Sequence, residues 1–486
     1  MGLEVFMYTP FVSVSHVKFL DKISPRAESS GARDGPILAH DVPERMECFP
    51  SETRPSDHSR VCDFETTTDL SELGGNAWRD LGDFWKLFEL LLKYTSLLQS
   101  NCLRMLEDEE LIARMKAENF DLGMSEILDP CGFLLFNKIG IKRYIALHGS
   151  YLPMWWASRF GLPQTLSFTP EMQSTSIPPF SFVERLKLQG IYWFGSLVMN
   201  RLFESSFWLL EKQMGGDFRV EEAITNSSFL FVNTDEYVEF PRPYTSKIIS
   251  IAGVDMQNTL DNRTGLSEEY RELLDSSPKG AVLVSFGSVA QSSLMENATK
   301  SAFLELFAAF PELQFIWKYE TPEDGTAAHL PNVHLSKEAT YAGVPLVSIP
   351  LFGDQVRNAA MIRRKGVGVV VQKTNITAAS LIDAVRAVVF DPTYKAKARE
   401  LASMLREKPF AVDDRIVRYS EFAAAHDVHE HLDLYGRQMN TISSYYNLDV
   451  YCLLLAVLLL IVFVLIKLTS FVVRRLLCGG RKSKFE

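Results

Sequence analysis

The stretch Y-A-G-V-P-L-V-S-I-P-L-F-G-D-Q-V-R-N, Tyr341 to Asn358, joins a buried-strand pattern to a polar turn. A short apolar run bounded by glycine and proline reads as an interior strand of a parallel sheet. Asp354, Gln355 and Asn358 then stand just beyond its carboxyl end, where open α/β sheets bind their ligands. Acids and amides at such a place can pair with sugar hydroxyls. The alternative is an ordinary strand-to-helix connection in which Asp354 caps the next helix. On composition alone the two readings are evenly balanced.

Working outward, β-branched and aromatic runs recur at Leu3 to Tyr8, Phe229 to Asn233, Ile248 to Ala252, Ala281 to Phe286, Gln314 to Trp317, Pro345 to Pro350 and Val367 to Val371, alternating with helical patterns. That order predicts parallel, doubly wound α/β sheets. A proline-flanked arginine within Phe240 to Pro243 divides the pattern into two halves, residues 1–243 and 244–425. Residues 25–59, rich in Pro, Ser, Arg, Glu and Asp, read as irregular chain where a crossover helix and second strand are due. A sharper anomaly follows Val333 to Leu335, which is strand-like. Only Ser336 to Gly343 separate it from the next strand, eight residues where a parallel crossover needs roughly 10 to 12.

The 486 residues, 47% of them hydrophobic, suffice for two cored domains, and the net charge of −10 argues against a nucleic-acid surface. Val450 to Ile466 is seventeen residues without a charge, and with Lys467 snorkelling the apolar run extends to bilayer length. We read a transmembrane helix over 448–473, preceded by a linker over 426–447. A basic tail, 474–486, carries Arg474, Arg475, Arg481, Lys482 and Lys484 and is placed in the cytosol by the positive-inside bias. The body then lies across the membrane, as do four glycosylation sequons at Asn226, Asn262, Asn297 and Asn375. Lys482 and Lys484 resemble a dibasic endoplasmic-reticulum retrieval signal, and a generic basic flank gives the same orientation. Cys48, Cys62, Cys102 and Cys131 can pair in an oxidising lumen, in a connectivity that spacing leaves open. No C-x-x-C or strand-flanked D-x-D points to a metal. The chain opens at Met1 without a basic-then-apolar leader, so we expect a lost leader or an incomplete precursor.

The opening stretch, together with L-F-V-N-T-D-E-Y-V-E-F-P-R-P at Leu230 to Pro243, A-V-L-V-S-F-G-S at Ala281 to Ser288 and the strand leading to Ser15-His16, resembles the membrane-bound UDP-glucuronosyltransferases of animals, which are family 1 glycosyltransferases. The likeness covers most of the chain. It implies two Rossmann-like domains of GT-B type facing across a cleft, plus one C-terminal transmembrane helix. The N-terminal domain would take a small lipophilic hydroxyl compound and the C-terminal domain a UDP-sugar, which is a co-substrate, with no cofactor. Relatives also carry a tryptophan-bearing turn, a short helix, a central strand and an H-G-G-x-N loop between positions matching Lys337 and Glu338. This chain skips them, as an omitted exon would, and with them the parts that hold the diphosphate.

The resemblance further assigns roles. His16, past the first strand, is the candidate base, since a neutral imidazole suits proton abstraction near neutrality. Glu126, at the end of the strand F-D-L-G-M-S-E, matches an acid that would orient it, with Asp129 and Asp121 as fallbacks. Gly287 and Ser288 match a phosphate-approaching turn, Glu338 an acid for the ribose, and Asp354 with Gln355 the pair for the sugar hydroxyls. Asn358 is expected to satisfy a polar neighbour. The implied reaction is transfer of a sugar, glucuronic acid in the first instance, to the acceptor with inversion. The aromatic segments Tyr151 to Trp156 and Ile191 to Trp208 can line an acceptor pocket, lie against the membrane or pack a core. A catalytically silent membrane protein that binds acceptor or partners active relatives, as a homo- or hetero-oligomer, is the chief alternative. A glycan-binding protein is a third.

Overall fold

The computed structural model describes residues 5–8, 38–40, 47–50 and 60–63, Trp78, and 84–479 apart from 173, 216, 255–267, 276, 278, 288–289, 337–343 and 439–441. The first body is an eight-stranded sheet in the order β3-β4-β2-β1-β5-β6-β7-β8. Its strands are β1 (Val5–Tyr8), β2 (Leu38–His40), β3 (Glu47–Pro50), β4 (Arg60–Asp63), β5 (Leu122–Glu126), β6 (Tyr144–His148), β7 (Leu230–Val232) and β8 (Ile248–Ser250). All pairs are parallel except β3 with β4, in which Cys48 stands opposite Cys62.

Two expectations change here. Residues 25–59 contribute β2 and β3, because short strands flanked by loop residues show no periodicity to read. The division at 243/244 moves as well, since β8 hydrogen-bonds to β7 and extends the first sheet to Ser250.

Period-two alternation sorts the strands' side chains to two faces. Leu122, Met124, Ile145, Leu147, Phe229 and Phe231 pack against the helix Val412–Ala425, which is late in the sequence yet belongs to this body. The opposite face, with Ala146, Leu230 and Val232, is covered by four helices, α1 (Phe84–Glu107), α2 (Glu109–Ala117), α3 (Cys131–Ile139) and α4 (Met154–Arg159), and by the long α5 (Phe182–Met214). A disulfide between Cys102 and Cys131 ties α1 to the start of α3. A closed loop of that size restricts the unfolded chain by about 3 kcal/mol.

The second body holds β9 (Ala281–Val284), β10 (Gln314–Lys318), β11 (Val333–Ser336), β12 (Leu346–Ser348) and β13 (Gly368–Val370), all parallel where paired. They form two sheets rather than one, β11-β10-β9 and β12-β13, over a shared core that includes Phe303, Phe307, Phe315, Trp317 and Leu381. Among the described residues the outer edges of β9 and β12 are unpaired. Within the smaller sheet, a Cβ on Gly368 would come within 2.1 Å of the Leu346 carbonyl oxygen, so the close approach of β12 and β13 requires glycine. The C-terminal helix Leu448–Gly479 is long and apolar enough to cross a membrane over Leu448–Arg475.

Candidate active site

Parallel neighbours deliver their carboxyl ends to one edge of a sheet, which brings Glu126 of β5 beside His148 of β6. His148 Nδ1 lies 2.9 Å from Glu126 Oε1, and the Gly149 amide donates to Glu126 Oε2 at 2.8 Å. Both side chains are buried. With Glu126 ionised the proton between them sits on Nδ1, which leaves Nε2 as an acceptor. That nitrogen is buried and has no hydrogen-bond partner among the described residues.

The same turn reaches the second body. Ser150 Oγ donates to Asp354 Oδ2 at 2.5 Å, and Asn358 Nδ2 donates to that oxygen at 3.3 Å. Asp354 occupies the N-cap position of α6 (Gln355–Lys365) but makes no side-chain capping bond. The capping alternative therefore fails, and the carboxylate faces the opposing body. Gly353, at φ +62°, supplies the left-handed residue that turns the chain from β12 into this helix. Gln355 folds back, its Oε1 accepting from the Leu351 amide at 2.8 Å, and so braces the turn. Asn358 satisfies a polar neighbour as expected, and that neighbour is Asp354 itself.

Arg357 holds the first turn of α6 in place. It is fully buried, donates through Nη1 to Glu239 Oε2 at 2.8 Å and through Nε to the Pro170 carbonyl at 3.1 Å, and lies 4.2 Å over the Tyr151 ring. Tyr151 in turn donates to Glu171 Oε1 at 3.1 Å. Burial pushes the Glu171 carboxyl above the usual carboxylate range, and it pushes the Tyr151 phenol well up. Ser150 and Tyr151 are thus read by Asp354 and Arg357, residues one turn apart on a single helix.

Other anticipated residues are placed as follows. Gly287 has φ +84° and its carbonyl accepts from Lys318 Nζ at 2.6 Å, while Phe286 meets Trp78 edge-on at 4.8 Å. Trp78, from the first half of the chain, donates to the Gln291 carbonyl at 2.7 Å and enters the core of the second body. His16, Ser288, Glu338 and the sequon Asn262 lie outside the described residues. Asp129 accepts from the Cys131 amide at 3.0 Å, and Asp121 is exposed before β5, at the end away from Glu126. Asn297 and Asn375 are exposed, whereas Asn226 Oδ1 accepts from Arg437 Nη2 at 2.5 Å and its sequon partner Ser228 is buried. Just behind Asp129, Leu98, Leu128, Phe203, Phe207 and Leu210 line a small apolar hollow.

His148, Ser150 and Arg357 were not singled out from sequence. The run Y-I-A-L-H-G-S holds the only available signal for the first two, a strand ending in histidine beside the Glu126 strand.

A family model described as UDP-glucoronosyl and UDP-glucosyl transferase matches residues 65–333 and 333–483. The chain is 29% identical over 442 residues to UDP-glucuronosyltransferase 2C1 of Oryctolagus cuniculus, covering 84% of each chain. It is 26% identical over 424 residues to 2-hydroxyacylsphingosine 1-beta-galactosyltransferase of Mus musculus, covering 80% of this chain and 74% of that one. Among solved structures it is similar to Os79 from O. sativa in complex with UDP, at TM-score 0.56 and 16% identity over 87% of this chain and 100% of that one. The calicheamicin glycosyltransferase CalG4 aligns at TM-score 0.53 and 14% identity over 87% and 99%. These likenesses carry the two-body GT-B fold. The chain belongs to the UDP-glucoronosyl and UDP-glucosyl transferase family and is a UDP-glycosyltransferase.

Proposed function

We propose that this protein transfers glucuronic acid from its UDP-sugar to a hydroxyl of a small lipophilic acceptor, with inversion at the anomeric carbon. His16 acts as base and Glu126 orients it. The imidazole takes the acceptor proton as the oxygen attacks the anomeric carbon, and the bond to the β-phosphate oxygen breaks on the opposite face, releasing UDP. Asp354 and Gln355 seat the sugar hydroxyls, Glu338 the ribose, and Gly287 with Ser288 approach the diphosphate. Glu126 already receives His148 and Gly149, but a carboxylate has about four lone-pair positions and can take a third donor. We also assign a single span over 448–473, a body in the endoplasmic-reticulum lumen and a basic cytosolic tail.

The observation that carries this reading is the Ser150 to Asp354 bond, which sets the turn held by Glu126 against the acid of the Asp-Gln pair. Purified full chain incubated with UDP-glucuronic acid, UDP-glucose or UDP-galactose and a phenolic acceptor tests it. A β-glucuronide by NMR, lost in H16A and E126Q, is expected. Turnover unaffected in H16A would remove that residue from the mechanism.

A second reading rests on the split sheet and on a family match that comes in two pieces meeting at residue 333. Both fit a chain that lacks a strand-helix segment between 337 and 338 and binds acceptor without turnover. Calorimetry with UDP separates the readings, since a folded protein giving no heat supports the silent one.

A further inference from the structure

His148 is a buried titratable side chain that the transfer reaction, with His16 as base, does not use. It ends β6 at 3% exposure, with Nδ1 2.9 Å from Glu126 Oε1. Its Nε2 is buried as well and has no partner among the described residues. An unpaired buried nitrogen costs free energy that a leucine or phenylalanine would not, so packing alone does not account for an imidazole here. Because Nε2 is buried, it offers no lone pair to an acceptor hydroxyl. What the residue does offer is the Nδ1 proton.

The Glu126 carboxylate is held at both oxygens, Oε1 by His148 Nδ1 and Oε2 by the Gly149 amide at 2.8 Å. One donor on each oxygen leaves a lone-pair position on each for a further donor. The two donors come from consecutive residues of a turn whose main chain is fixed independently of either side chain. Just past β7, the Asn233 amide donates to the His148 carbonyl at 2.9 Å and Asn233 Nδ2 donates to the Gly149 carbonyl at 3.0 Å. The next residue, Ser150, donates to Asp354 of the second body. Three residues in a row thus serve the two acids, and His148 can be replaced while Asn233 keeps the turn in place.

We propose that His148 is a positioning residue for the transfer, its Nδ1–H fixing the orientation of the Glu126 carboxylate so that the remaining lone pairs meet the base squarely. This rests on the orienting role given to Glu126 under the proposed function. His148 moves no proton itself. Without its donor, Glu126 is held through Oε2 alone and can swing about that single bond.

Asparagine and glutamine separate the two nitrogens of the ring, since an asparagine amide reaches the place of Nδ1 and a glutamine amide that of Nε2. Purified full chain and its H148N, H148Q and H148F variants are compared in steady-state transfer from UDP-glucuronic acid to a phenolic acceptor, with UDP affinity measured by calorimetry. A fall in kcat of about 10- to 100-fold is expected in H148Q and H148F, with H148N within about threefold of native, because a small misplacement of a catalytic group carries losses of that size. Affinity for UDP is expected to be unchanged in all three, as the second body is untouched. Native kcat in H148Q overturns the proposal. So does a fall in H148N equal to that in H148Q, which would make the side chain a packing residue. Should H148F be recovered unfolded, the contrast between H148N and H148Q decides. E126Q run alongside separates the failures: an inactive E126Q with a fully active H148Q overturns this proposal alone. Native turnover in E126Q, or no product from the native chain with UDP-glucuronic acid, UDP-glucose or UDP-galactose, overturns the proposed function and this inference with it.

Discussion

Arg357 of the second body and Glu239 of the first form a fully buried ion pair, with Nη2 2.6 Å from Oε1 and Nη1 2.8 Å from Oε2. The Nη1 contact is a hydrogen bond to an ionised acceptor and fixes orientation, while the Nη2 contact lacks hydrogen-bond geometry and adds charge attraction at close range. The arginine is one turn from Asp354, so the pair sets where the candidate sugar seat meets the Glu126 edge.

Removing the cation alone leaves Glu239 buried without its counter-charge. R357M is expected to lose about 3–5 kcal/mol, whereas R357M/E239L, which removes both charges, recovers part of that. Urea unfolding followed by tryptophan emission measures both. Additive losses in the double variant would show that the two residues do not act together.

Ser150 donates one of two hydrogen bonds to Asp354, and the charged acceptor makes it the stronger kind. S150A leaves the carboxylate free to rotate. A loss of about 1.4 kcal/mol in orientation is tenfold in kcat/KM for the UDP-sugar, with S150T retaining most of it. Steady-state kinetics at varied donor concentration checks this. Wild-type kcat/KM in S150A would mean that Asp354 is positioned by Asn358 alone.

Burial raises the Glu171 carboxyl above its ordinary value of 4.5. Because the folded state then holds the proton more tightly than the unfolded state, the contribution of this group is fully present below pH 4.5 and declines as pH rises through the folded value. The stability of the native protein relative to E171Q is therefore expected to fall between mildly acidic and neutral pH. Denaturation midpoints of both proteins across that range provide the measurement, and parallel profiles would contradict it.

Much of the architecture was legible because it depends on short-range pattern. Every strand expected from an apolar run is present with its ends shifted by no more than a few residues, and Glu126 and Asp354 stand at carboxyl ends as anticipated. What escaped depends on long-range pairing. Glu239 lies 118 residues from Arg357, and in sequence neither differs from a surface charge. His148 is a single imidazole at the end of an apolar run, and only the register of β5 against β6 gives it a carboxylate. The place of β8 in the first sheet is likewise a matter of hydrogen bonding that two prolines upstream do not reveal.

The central claim is that Asp354 and Glu126, brought together across the two bodies, serve one transfer reaction. Its most direct test is the transfer of labelled glucuronic acid from UDP to a phenolic acceptor by membranes containing the full chain, its D354A variant or its E126Q variant. The account predicts product with the native chain and a loss of at least tenfold in each variant, with the folded fraction unchanged. Transfer at the native rate by both variants, or none by a native chain that is folded and binds UDP, would contradict it.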